Sequence, residues 1–208
     1  MRILFCLFFA FLSFSTFAKD TLENVMARMK PAQAISINYQ EIRKLGLLSE
    51  TWKGTGTFYA VLPDVMLKEQ QSPEKEIMGI KGAQLYYYHP GNDQKHQAEL
   101  EDEDAVSFQV AAFKGLMNGD LAFLKNRYSL DFKTTNKDWQ LRLTPRQNTD
   151  SETNTTVIMR GLPEQVANKL ELLLADGDRT EYTLTPSTQG AAVKTKVQQL
   201  LTLLEAPE

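Results

Sequence analysis

Residues 52–63 read "WKGTGTFYAVLP" and alternate cleanly. Trp52, Gly54, Gly56, Phe58, Ala60 and Leu62 fall on one side, and Lys53, Thr55, Thr57, Tyr59 and Val61 on the other. Successive strand side chains face opposite sides of a sheet, so the stretch is a half-buried strand. Its apolar face carries two glycine gaps. That face covers either a solid core or a space meant for something else. The same alternation marks "AISINYQEIRKLG" before it and "VMLKEQQ" after the Pro63-Asp64 turn. "KEIMGIKG" and "QLYYYHP" read as two strands joined at Gly82-Ala83, and "KHQAEL" pairs back after the turn signal "GNDQ". "YSLDFKTT", "WQLRLTP", "TTVIMRGL", "QVANKLELLLA" and "RTEYTLTP" resume the pattern later, separated by "NKD", "RQNTDSETN" and "DGD".

Three segments carry a helical period instead. Leu22, Val25, Met26 and Met29 recur at helical spacing, and Pro31 stops them. In mid-chain, Val106, Val110, Phe113 and Met117 form a stripe, Asp102 and Asp104 suit the positive end of a helix dipole, and Asn118-Gly119 ends the run. A short helix over Asp120 to Asn126 follows. The last segment, "AAVKTKVQQLLTLLEA", repeats Val193, Val197, Leu200, Leu201 and Leu204. The sum is an α+β chain of about eleven strands with a helical insert and helices at both ends. Short turns between consecutive strands imply an antiparallel meander. A sheet that long curls, here around the helices.

The first residues concern compartment. Arg2, the apolar run "ILFCLFFAFLSF" and small residues at Thr16 and Ala18 read as a secretory signal peptide over residues 1–18. The run is shorter than the ~20 residues of a spanning helix. Residues 19–208 then form a single domain. Cys6, the only cysteine, lies inside the apolar run with no lipobox before it, so it is not a lipidated N-terminus. The remainder has no thiol and holds itself by its core. With Arg2 removed, 22 basic residues face 26 acidic ones, a net charge of −4. That argues against nucleic acid and against simple attraction to anionic lipid. The "NTT" sequon at Asn154 matters only in a eukaryotic secretory pathway; the absence of cysteine suits a bacterial periplasm as well.

Catalytic and metal motifs fit poorly. His89 and His96 flank Asp93 in "HPGNDQKH", but Pro90-Gly91-Asn92 is turn chemistry and no further ligands stand at metal-site spacing. No Gly-x-Ser-x-Gly nucleophile and no phosphate loop is present. Hence no enzyme, metal or cofactor is expected. The acidic run "ELEDEDA" reads as a soluble helix start. Methionine and tyrosine are plentiful, with Met26, Met29, Met66, Met78, Met117 and Met159 all in predicted elements. Methionine adapts to irregular apolar partners. An ordinary core and a cavity for a greasy ligand both explain the surplus, and composition does not choose between them.

The order of motifs resembles the LolA family of periplasmic outer-membrane lipoprotein carriers. "SINYQE" matches loosely: Tyr39 supplies the aromatic, Gln40 comes one place early, and Glu41 stands where the family has glutamine. "GTGTFYAVLP", "GIKGAQLYYYHPGNDQ", "WQLRLTP" and "DGDRTEYTL" match more tightly, and the likeness covers nearly the whole mature chain. The resemblance implies an open antiparallel half-barrel covered by helices, with acyl chains in the apolar space between. It places Trp52, Phe58, Ala60, Leu62, Met66 and Met78 at the lipid cavity, and Met26, Met29, Val110, Phe113 and Met117 on the lid helices. It implies a periplasmic monomer that takes lipid or acylated lipoprotein from an inner-membrane donor to an outer-membrane acceptor. One departure stands out. Before the strand-ending proline the family carries an arginine taken to latch the lid, and here that position is Leu62, which has no donor. A divergent carrier follows, with a lipid-linked pigment or glycolipid as conceivable cargo. The competing reading is a non-carrier binding or scaffold module of the same fold, docking protein on its outer surface or acidic edge. A hydrolase is the third, and the lipidated outer-membrane receptor of the same fold would need a cysteine after the signal.

Overall fold

The computed structural model describes residues 20–206 apart from 32, 47–49, 101–104 and 147–154. The signal segment, the acidic run at 101–104, the turn at 147–154 and the first residue of the sequon lie outside the described residues, as do the side chains of Ala105 and Val106. Among the described residues no helix is long and apolar enough to cross a membrane.

Among the described residues eleven strands form one antiparallel sheet. After helix α1 (Leu22–Met29), strands β1 (Ala34–Lys44), β2 (Trp52–Val61), β3 (Val65–Ser72), β4 (Glu76–Lys81), β5 (Gln84–His89) and β6 (Gln94–Glu99) meander toward one edge. Helices α2 (Ala105–Asn118) and α3 (Leu121–Arg127) carry the chain to the opposite edge. There β7 (Tyr128–Thr134), β8 (Trp139–Pro145), β9 (Thr156–Gly161), β10 (Ala167–Leu173) and β11 (Arg179–Gln189) meander back until β11 pairs with β1. Helix α4 (Ala191–Glu205) closes the described chain. Among the described residues the edge strands β6 and β7 do not pair, so the sheet is open, as a half-barrel is. Because α2 and α3 bridge the two edges, they lie across one face of the sheet, called inner here.

Local chemistry sets the helix ends. The Thr21 hydroxyl accepts from the Asn24 N–H at the start of α1. Gly119, at φ +66°, stops α2 in a conformation that side chains disfavour. Asp120 then caps α3 by accepting from the Phe123 N–H.

Two cores result. On the inner face, Val25 and Met26 of α1, Phe108, Ala112 and Leu116 of α2, and Leu124 of α3 pack on Tyr39, Tyr128, Trp139, Leu141, Leu143, Val157, Leu170, Tyr182 and Leu184. On the outer face, Val193, Val197, Leu200, Leu201 and Leu204 of α4 pack on Leu67, Ile77 and Tyr86. The inner core therefore fills the half of the sheet from β7 through β11 to β1 and β2.

The stripe expected on α2 is corrected in part. The residues buried in the inner core are Phe108, Ala112 and Leu116, with Phe113 only partly buried against them. Val110, Lys114, Met117 and Asn118 form a different flank. The helix is apolar nearly all round, so its period does not single out one face.

Candidate functional site

The glycine gaps in β2 are filled by the chain's own aromatic rings. The Trp52 ring lies over Gly54, where an added Cβ would come within 2.3 Å of it. The Tyr39 ring lies over Gly56, whose Cβ would stand 2.6 Å from the phenol oxygen. Tyr39, Phe58 and Tyr182 stack in a cluster with ring centroids 4.5 to 5.6 Å apart. On β2, then, the inner face is packed solid around Phe58.

Beyond β2 the cover thins. Strand register carries one inner row through Ala60, Met66, Ile80, Leu85 and Ala98. The next row runs through Phe58, Lys68, Met78, Tyr87 and His96. Met66, Ile80, Leu85 and Tyr87 are only half-buried, and Met78 is 39% exposed. Met66, Ile80 and Leu85 of the first row with Met78 and Tyr87 of the second form an apolar groove on the inner face of β3 to β6, with α2 tied at one end of it. The α2 flank with Val110 and Met117 sits on this side. Lys114 donates to the Gly82 carbonyl at 2.5 Å and Asn118 to the Pro63 carbonyl at 3.0 Å. Both carbonyls belong to turns that end the groove.

The sequence-expected residues are thus distributed as follows. Phe58 packs against the inner core and Ala60 is buried beside it. Met66 and Met78 lie in the groove, Leu62 stands half-buried at the groove-ending turn, and Trp52 is half-buried at the far end of β2. Met26 is buried, and Met29 and Phe113 pack on the core from the lid side. Val110 is buried and Met117 half-buried on the flank toward the groove.

Three features escaped the sequence reading. The first is the pair of hydrogen bonds that ties α2 to the two turns. Leu62 has no donor for a latch, but donors come from the opposite partner, α2, onto backbone carbonyls. Asparagine and lysine on a helix give no signal of that use. With a neutral hydrogen bond worth about 0.5–1.5 kcal/mol and one from a charged donor such as the Lys114 ammonium about 1.5–3 kcal/mol, Asn118→Ala combined with Lys114→Ala is expected to speed amide exchange throughout α2 severalfold. The exchange of β8 and β9 should hardly change. Unaltered α2 exchange would show that the two bonds do not hold the helix.

The second is a charged corner on the inner face. Glu41 has no exposed side-chain surface. Its carboxylate accepts from Arg43 Nε at 2.6 Å, Lys68 Nζ at 2.6 Å and the Tyr182 hydroxyl at 3.1 Å. Arg43 lies over the Trp52 ring at 4.1 Å, and Lys68 stands 5.2 and 5.5 Å from the Tyr39 and Tyr182 ring centres. Burial pulls the Lys68 ammonium below its usual range, with Glu41 opposing that shift. Burial, then Glu41, pushes the Tyr39 and Tyr182 phenols well above theirs.

The third lies on the outer face. A hollow of about 340 Å³ opens there among Arg160, Lys169, Glu171, Arg179 and Glu181. Its charges are paired: Glu171 takes Arg160 at 2.8 Å and Arg179 at 3.0 Å. Its walls are polar, unlike the groove. The two histidines go separate ways. His89 meets Glu74 at 3.0 Å, which raises its imidazole pKa, and His96 stacks on Tyr87. Among the described residues no three His, Cys, Asp or Glu side chains are grouped to hold a metal.

A family profile described as "Outer membrane lipoprotein carrier protein LolA-like" matches residues 15–205. No curated protein matches the sequence. Solved structures are similar at low identity. A LolA superfamily protein from Nitrosomonas europaea is 10% identical, with TM-score 0.47 and coverage of 82% of this chain and 92% of that one. An outer membrane lipoprotein-sorting protein domain from Vibrio parahaemolyticus, so titled provisionally, is 12% identical, with TM-score 0.43 and coverage of 84% and 94%. The lipoprotein LppX of Mycobacterium tuberculosis is 8% identical, with TM-score 0.40 and coverage of 78% and 90%.

Proposed function

The chain belongs to the LolA-like family of outer membrane lipoprotein carrier proteins, and on that footing we propose that it is a periplasmic carrier of acyl chains. Residues 1–18 direct export, and residues 19–208 are one carrier domain that acts as a monomer. It takes a lipoprotein or another lipid, a lipid-linked pigment or glycolipid included, from an inner-membrane donor toward an outer-membrane acceptor. The task is binding and release, with no catalysis and no cofactor.

One observation carries this reading: the inner face is solidly packed from β7 to β2, yet stays apolar and half-covered over β3 to β6. A row such as Met66, Ile80 and Leu85 on a helix-roofed face is the place for a chain that the protein itself does not supply. Each methylene buried there is worth about 0.8 kcal/mol, so a long chain binds firmly. Release needs α2 to lift. The two tethers seen there, Lys114 and Asn118, are single hydrogen bonds that open at low cost.

The test is native mass spectrometry of the mature protein taken gently from a periplasm, followed by organic extraction. Acylated peptide, or a free or pigment-linked lipid, is expected in the wild type. Leu85→Asp is expected to cut loading about tenfold or more while the fold is kept, because an unpaired carboxylate in the chain's path is costly to bury. Leu85 is half-exposed, so the fold itself tolerates the change. A protein that stays empty after incubation with lipid would leave the non-carrier binding module as the better account.

A further inference from the structure

Two cations and two phenols meet at one buried carboxylate at the end of the groove, and they bring more donors than it accepts. Glu41 is fully occupied: one oxygen takes Arg43 Nε and the Tyr182 hydroxyl, the other takes Lys68. The remaining groups are donors. Among the described residues nothing accepts from the two terminal nitrogens of Arg43, whose side chain is 33% exposed. Lys68, at 15% exposure, has one N–H engaged by Glu41 and two more to give. The Tyr39 hydroxyl is buried without a partner, on a residue only 3% exposed. A second carboxylate, Glu76 at the start of β4, is close enough for its charge to act on Arg43, Lys68 and Tyr39, and none of the hydrogen bonds of this corner goes to it. An unpaired buried donor such as the Tyr39 hydroxyl is costly, so the corner suits a further acceptor that reaches Tyr39, Lys68 and Arg43 together.

Its position says which acceptor. Lys68 occupies the same inner row as Met78 and Tyr87, next to the row of Met66, Ile80 and Leu85. Six residue steps along β2, from Ala60 near the groove-ending turn to Gly54 in the Glu41 row, span roughly 20 Å at strand rise. We propose that Arg43, Lys68 and Tyr39 form a headgroup site for the acidic group, carboxylate or phosphate, of a ligand whose acyl chain fills the groove. The guanidinium plane, held flat on Trp52, offers paired N–H groups to two oxygens. The inference rests on the carrier reading, since it assumes a chain in the groove.

The test compares ligands of one chain length and different heads: decanoate, decyl phosphate, decanol and decylammonium, each titrated calorimetrically into delipidated mature protein. The two anions are expected to bind about tenfold tighter than decanol, and decylammonium no tighter than decanol. Arg43→Gln should abolish the anion advantage, and Arg43→Lys should keep part of it. Preference for decanoate points to fatty acid, and preference for decyl phosphate to phospholipid. If all four bind alike, or decylammonium binds best, the headgroup site is wrong while the groove stands. If none binds, both readings fall together. The wild-type series decides even if a variant folds poorly.

Discussion

Glu41→Ala is expected to lower the unfolding free energy by about 3–5 kcal/mol, the cost of stranding a buried ion-pair partner. The reason is geometric. Lys68 has little exposed surface and two aromatic rings around its ammonium, so it cannot simply turn to water when Glu41 is lost. The Tyr182 hydroxyl, also buried, loses its acceptor at the same time. Arg43 is more exposed and can swing out, so it adds less. The double variant Glu41→Ala with Lys68→Met is therefore expected to be more stable than Glu41→Ala alone, because replacing a buried pair by apolar groups is often close to neutral. Urea unfolding followed by circular dichroism measures both. A loss under about 1 kcal/mol for Glu41→Ala would mean the corner is wet and its charges solvated.

The two tryptophans are expected to behave in opposite ways. Trp139 is fully buried, its ring lies over Gly161 where a Cβ would come within 2.5 Å, and its indole N–H reaches the Gln165 carbonyl at 3.1 Å. Trp139→Ala opens a large cavity in the inner core and should cost about 3–5 kcal/mol. Since Trp139 stands on β8, six strands from β3 in the sheet order, lipid loading per folded molecule should hold. Trp52 is half-exposed and stacked on Arg43, so Trp52→Ala should cost far less stability and act instead on the corner it shapes. Equal stability losses for the two would contradict the division into a packed half and a groove half.

The fold was readable from the chain to a large extent. Period-two alternation located the strands, and proline or glycine marked most turns, because those signals are local. "WKGTGTFYAVLP" forms β2 nearly as read, over Trp52–Val61, and Asn118-Gly119 ends α2 where expected. The α2 face was harder. A helix apolar on every side buries Phe108, Ala112 and Leu116 on the core and turns Val110 and Met117 elsewhere, and no single-helix period distinguishes these stripes.

The candidate site was readable only in part. Met66 and Met78 stood out as soft apolar groups on strands. Ile80 and Leu85 did not, because a half-covered core residue and a groove residue look the same in one dimension. Glu41 drew notice only as a departure from a family glutamine. That it is buried follows from four strands meeting: β1 brings Arg43, β3 brings Lys68, β11 brings Tyr182, and β2 lays Trp52 over Arg43.

By itself, then, the sequence determined the alternating strands, the helical insert between two meanders, the helix stops and the family resemblance, all of which rest on neighbours a few residues apart. Only the tertiary structure decided how the glycine gaps are filled, which flank of α2 meets the turns, that backbone carbonyls at Pro63 and Gly82 hold α2, and that one carboxylate serves two cations. Most of those are contacts between residues far apart in the chain, 27 positions for Lys68 on Glu41, 32 for Lys114 on Gly82 and 55 for Asn118 on Pro63, or are set by rotation of a helix on a sheet. Their energies depend on burial and distance, which strand pairing creates and which no local pattern encodes.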